Sequence, residues 1–211
     1  MDQRQDDNPL VRKYRELNRT AEKGGVVFAG SSLMEMFPVE KFFAELPGEF
    51  PPVYNRGVGG YTTINYAPIL DVCVWDLEPR KVFINIGTND LSDPKQTIPE
   101  IMARYDRILT QIEEHLPGVR IYLMAYYPVN PEATETPTPE WVYSRTNGKL
   151  LEANAEVEKL AARHGQKYID VNAPLKDEQG RLKAEYTIEG MHITEEGYRS
   201  IFDEIVRYVM E

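Results

Sequence analysis

The chain has 211 residues, enough for one domain with its own core, and a net charge of −10 from 24 basic and 34 acidic side chains. That acidity disfavours nucleic acid and anionic membrane surfaces as partners, because no local basic patch offsets it. A single cysteine, Cys73, excludes an internal disulfide and argues against a cysteine-based zinc site.

The N-terminus reads MDQRQDDNPL, with no basic start followed by an apolar stretch. It is not a signal peptide as given, which points to the cytoplasm. The longest largely apolar run, residues 121–129, is about half of the ~18–20 residues that a spanning helix needs. Residues 9–22 read as an extra helix laid on the outside, so residues 1–24 form an extension and 25–211 the main domain.

Residues 26–29 are a short apolar run ending at Gly30, and residues 52–55 a second, closed by the glycine cluster 57–60. A helical pattern covers 64–77. Residues 81–86 form a third strand-like run, ended by Gly87. Ile98, Ile101, Met102, Tyr105, Ile108, Leu109, Ile112 and Leu116 recur at steps of three and four, one helical stripe ended by Pro117-Gly118. A fourth strand-like run spans 119–125, a second stripe runs through Leu150, Val157 and Leu160, and a fifth strand-like run spans 167–170. Tyr198, Ile201, Ile205 and Val209 form the last helix, with Thr194 as N-cap and Glu195-Glu196 suited to its positive end. Residues 128–145 break the pattern with four prolines and no periodicity, a loop long enough to be functional.

This alternation implies an α/β fold, a parallel sheet with helices on both faces and ligand sites at the carboxyl ends of its strands. Four positions on or near that edge carry chemistry. Ser32 follows the first strand and opens a helix, where a serine serves as nucleophile or as a plain N-cap. The segment Asn55-Arg56-Gly57-Val58-Gly59-Gly60 offers a close main-chain N–H or simply a tight turn. Asn89, in Gly87-Thr88-Asn89-Asp90, can donate its amide to an oxyanion or form an Asx turn. Glu189 and His192 lie three residues apart in a turn, where a carboxylate can orient an imidazole. The other two histidines, His115 and His164, sit at the carboxyl ends of predicted helices, an ordinary place for them.

In that order, from about Val26 to the end, these blocks resemble the SGNH hydrolases, also known as the GDSL esterase/lipase family. Ser32 falls on the family's serine, Gly60 on its glycine, Asn89 on its asparagine and His192 on its histidine. The resemblance implies a three-layer α/β/α sandwich with a five-stranded parallel sheet, flavodoxin-like in outline. It implies Ser32 as nucleophile, His192 as base and Glu189 as its partner, with an oxyanion hole from the N–H groups of Ser32 and Gly60 and the Asn89 amide. Neither metal nor organic cofactor is required.

Three positions depart from the family pattern. Ser31, Tyr61 and Glu189 stand where aspartates are usual, and the longer Glu189 leaves the bond to His192 long or absent, which would make a Ser32–His192 dyad. Tyr61, Tyr127, Trp141 and Arg145 are the candidate substrate contacts, as a sugar platform or as part of a lid. The expected substrate is a small-molecule carboxylic ester, a short acetyl ester on a carbohydrate-like alcohol. The alternatives are a lysophospholipase or thioesterase, and a binding protein whose chemistry has lapsed. A homo-oligomer stays open.

Overall fold

The computed structural model describes residues 8–133 and 139–211. All five expected strands form: β1 (Val26–Gly30), β2 (Val53–Gly57), β3 (Lys81–Asn85), β4 (Arg120–Met124) and β5 (Lys167–Ile169). They pair in parallel in the order β2-β1-β3-β4-β5. The order reverses at β1, so the crevice of such a sheet opens beyond the carboxyl ends of β1 and β3.

The period-two alternation of the central strands divides the core in two. Val27, Ala29, Val82, Ile84, Ile121 and Leu123 face one apolar cluster, whereas Val26, Phe28, Phe83, Tyr122 and Met124 face the other. The register sets Phe28, Phe83 and Tyr122 side by side, and their rings stack at centroid distances of 4.7 and 4.5 Å. Helices cover both faces, which gives the expected three-layer α/β/α sandwich.

Helix α1 (Pro9–Asn18) starts from Asn8, whose side chain caps the Leu10 N–H at 2.9 Å. It is docked and not merely apposed: Val11 is buried, the Tyr14 hydroxyl donates to the Gly57 carbonyl at 2.8 Å, and the Asn18 amide donates to the Val72 carbonyl at 2.7 Å. Two short helices follow β1, α2 (Ser32–Glu35) and α3 (Val39–Glu45). The single helix expected over 64–77 is broken into α4 (Thr63–Tyr66), a 3₁₀ turn at Ala67–Ile69, α5 (Leu70–Cys73) and a second 3₁₀ turn. Pro68 sits in the first of these turns, and its ring and missing N–H stop a regular helix there.

Helix α6 (Ile98–His115) buries the predicted stripe and opens with a Thr97–Glu100 capping box. Among its described residues the long loop contains one helical turn, α7 (Glu140–Tyr143), and then runs into α8 (Asn147–Arg163). Helix α9 (Glu195–Met210) starts at the predicted cap, Thr194. No helix among the described residues is long and apolar enough to cross a membrane.

Candidate active site

Strands β2, β1 and β3 are neighbours, so the residues just past their ends meet: Gly60 after β2, Ser32 after β1 and Asn89 after β3. Ser32 is the first residue of α2, where a helical N–H has no intrahelical partner. Ser31 holds the cap position, but its buried hydroxyl caps nothing and has no hydrogen-bond partner among the described residues. Gly60 takes a φ of +77°, a left-handed turn that glycine adopts without strain. Among the described residues, no hydrogen bond uses the Gly60 N–H. The preceding Gly59 N–H donates to the Glu35 carboxylate at 2.5 Å, so α2 pins the glycine turn beside the serine.

The histidine comes from a hairpin-like turn. Thr187 and Ile193 bridge in antiparallel fashion, and the Ile188 N–H donates to the His192 carbonyl at 2.9 Å. Gly190, at φ +103°, reverses the chain between them, and its carbonyl accepts from the Asn130 N–H at 2.7 Å. The reversal folds the Glu189 side chain back onto His192. Glu189 Oε1 lies 2.7 Å from His192 Nδ1 and also accepts the His192 main-chain N–H at 3.1 Å. His192 Nε2 lies 3.0 Å from Ser32 Oγ. The long or missing Glu189 bond expected from the extra methylene is not found, because the turn absorbs the added length. The two side chains are 16% and 21% exposed, which leaves the imidazole accessible yet held.

Asn89 forms no Asx turn. Its amide Nδ2 donates to the Tyr61 carbonyl at 2.8 Å, and its Oδ1 accepts from Arg145 Nη2 at 2.5 Å. Below it lies a buried cluster that no local motif announces. Asp90 accepts the Thr63 N–H at 2.9 Å and the Thr63 hydroxyl at 2.5 Å, and pairs with Arg104 at 3.2 Å. A buried carboxylate needs such partners, and here they tie the Asn89 loop to α4 and α6.

Ser32, Gly60, Asn89, Glu189 and His192 are therefore brought to one edge, whereas the expected substrate contacts scatter. Tyr127 is a correction: its ring is buried in the core, 6.4 Å from that of Tyr198, and does not line the edge. Its apolar body outweighs its hydroxyl there, and burial raises the pKa of that hydroxyl. Arg145 is also buried, turned onto Asn89 and not outward. Tyr61 is half-buried, with its hydroxyl accepting from the Asn8 amide at 3.1 Å. Trp141 lies on α7, and its side chain is outside the described residues. His115 stacks on Trp75 at 4.0 Å and His164 lies between Asp106 and Glu113, both as helix-end residues away from this edge.

The chain belongs to the GDSL-like lipase/acylhydrolase family, whose model matches residues 28–200. Family and fold together make it a hydrolase of that type. Its structure is similar to that of a protein from Streptococcus pneumonia described as a candidate platelet activating factor. The two are 28% identical over 95% of this chain and 91% of that one, with a TM-score of 0.83. It shares its fold with a GDSL-like lipase from Bacteroides thetaiotaomicron at 20% identity, 95% and 97% coverage and a TM-score of 0.75. The fold is also that of an acetylxylan esterase from Geobacillus stearothermophilus at 16% identity, 89% and 95% coverage and a TM-score of 0.67. Among curated proteins, none matches its sequence.

Proposed function

We propose that the protein is a serine-dependent carboxylic ester hydrolase acting on a short acyl ester, acetyl first, of a soluble carbohydrate-like alcohol. The reading is carried by the continuous hydrogen-bonded series from Glu189 through His192 to Ser32, at 2.7 and 3.0 Å. A serine hydroxyl needs a base to attack a carbonyl, and His192 Nε2 stands within hydrogen-bond reach of it. Glu189 holds Nδ1–H, so Nε2 is the nitrogen left to accept the Ser32 proton.

Attack by Ser32 Oγ converts the ester carbonyl to an oxyanion, which the N–H groups of Ser32 and Gly60 and the Asn89 amide bind. Collapse transfers the His192 proton to the departing alcohol and leaves an acyl-serine. Water, deprotonated by His192, then releases the carboxylic acid and restores Ser32. A net charge of −10 works against docking on anionic lipid aggregates. The acetylxylan esterase of the same fold makes acetylated xylo-oligosaccharides the first natural-type substrates to assay.

The test is a p-nitrophenyl ester series of increasing chain length beside acetylated xylo-oligosaccharides, with fluorophosphonate labelling located by mass spectrometry. Label on Ser32 and a preference for acetyl are expected. Rates that climb with chain length would move the substrate to lysophospholipids or acyl thioesters. No label and no hydrolysis would overturn the enzymatic reading and favour a lapsed binding protein.

A further inference from the structure

Arg145 sits at the end of the long loop, one residue before the Thr146 cap of α8. It is 4% exposed. Its backbone is anchored, with its N–H donating to the Val142 carbonyl at 3.0 Å. The neighbouring Asn147 side chain bonds both the N–H and the carbonyl of Val129, at 2.9 and 2.8 Å. Among the described residues, the guanidinium then reaches three groups that join the two sides of the site. Nη2 donates to Asn89 Oδ1 at 2.5 Å, Nε donates to the Ser92 hydroxyl, and Nη1 contacts the sulfur of Met191. Asn89 and Ser92 belong to the loop after β3, and Met191 precedes His192, so one side chain joins the two halves of the site.

We propose that Arg145 is a positioning residue that sets the donor face of Asn89 toward the oxyanion and locks that loop to the His192 turn. The inference rests on the ester-hydrolase reading and names how its oxyanion site is oriented.

An asparagine amide has an oxygen that accepts and a nitrogen with two donors, and the two ends are nearly the same shape. A guanidinium only donates. With Arg145 against it, Asn89 must turn its oxygen inward, and the flipped amide would set donor against donor. The nitrogen is then forced to the other side. There one N–H goes to the Tyr61 carbonyl at 2.8 Å, and the second, which has no partner among the described residues, is left for a ligand. The cation on the amide oxygen also polarises the amide and strengthens its N–H as a donor.

Burial lowers the pKa of Arg145 to about 10, against the opposing pull of Asp90 and Glu189, so the group is cationic at neutral pH. Holding a cation at that depth is costly, and packing alone would be met more cheaply by an apolar side chain. Its buried, inward-turned donors fit a role in holding the site better than contact with substrate.

The experiment is a double-mutant cycle on p-nitrophenyl acetate with Arg145→Ala, Asn89→Ala and the pair, plus Arg145→Lys. Arg145→Ala should lower kcat about 10–10²-fold, less than outright loss of the donor, with KM within about twofold of the parent. In the Asn89→Ala background the same change should alter kcat by less than about threefold, because its route of action is already gone. Arg145→Lys should fall between, since one ammonium can meet Asn89 but not all three groups. If Arg145→Ala does not fold, the lysine variant carries the same comparison. A raised KM with kcat retained, or losses that multiply in the double variant, would overturn the assignment. If the parent hydrolyses the ester and labels at Ser32 while the losses multiply, only this inference fails. A parent that neither labels nor hydrolyses overturns the functional reading and this inference with it.

Discussion

Replacing Glu189 by glutamine removes a charge and almost nothing else, which makes it the most informative single change in the site. Oε1 of Glu189 accepts two bonds, from His192 Nδ1 at 2.7 Å and from the His192 main-chain N–H at 3.1 Å. Both partners donate, so the glutamine oxygen takes the same place and its amino group falls where the second carboxylate oxygen stood. The imidazole keeps its tautomer. What is lost is the attraction between the carboxylate and the imidazolium that forms during attack. Two charges roughly 4 Å apart at an effective dielectric of about 20 attract by about 4 kcal/mol, or about 10³-fold in rate. In the best-studied serine triad the equivalent change costs about 10⁴ because the tautomer is also wrong, so the present case should fall short of that. The assay is kcat and KM on p-nitrophenyl acetate between pH 7 and 9, with the melting temperature as a check on folding. Glu189→Asp, one methylene shorter, should recover part of the loss. A folded Glu189→Gln variant within tenfold of the parent would show that the short bond contributes little to catalysis.

Three further outcomes are expected. Ser32→Ala should lower kcat by several orders of magnitude, and adding His192→Ala should cost little more, since residues that act as a unit are not additive; hydrolysis rates of the two single variants and the pair check this. Asn89→Ala should cost about 10²–10³ in kcat as a lost oxyanion donor. It also removes the acceptor that the buried Arg145 Nη2 uses, worth about 1–3 kcal/mol, so thermal unfolding should shift down by roughly 2–4 °C per kcal/mol. Thr97→Ala removes the capping box of α6, whose bonds run between Thr97 and Glu100 and not to a site residue, and should lower the melting temperature through a loss of about 1 kcal/mol with kcat unchanged.

Much of this was legible in the chain because it is local. A strand buried on both faces must be apolar along its length, and the runs at 26–29 and 81–86 show that directly. Ser32, Gly60, Asn89 and His192 each sit in a short motif just past a strand or before a helix, so topology alone gathers them. The helix over 64–77 misled because its apolar stripe continues through Pro68 while the backbone does not. Tyr127 misled for a related reason: a tyrosine beside a loop reads as a surface contact until its ring is seen packed on Tyr198. The supports of the site were not legible, because they join distant residues. Arg145 is 56 positions from Asn89, and Asp90 meets Thr63 across 27. No periodicity or motif encodes such a pair; only the folded sheet does.

The three departures from the family pattern have different consequences. Ser31 leaves a buried hydroxyl with no partner among the described residues, so its side chain holds nothing in place. Glu189 is accommodated by the Gly190 turn, which gives the longer side chain room to curl back to His192. Tyr61 does the most. Its hydroxyl accepts from Asn8, the residue that caps α1, while its main-chain carbonyl, which any residue would present, accepts the Asn89 amide at 2.8 Å. Through that one residue the N-terminal helix reaches the oxyanion side of the site. The same helix holds the end of β2 through Tyr14 and Gly57, the strand that leads into Gly60. Helix α1 and its cap are thus hydrogen-bonded next to two of the three groups proposed to bind the oxyanion, so under the proposed function the segment that the sequence sets apart as an extension would help to hold the site.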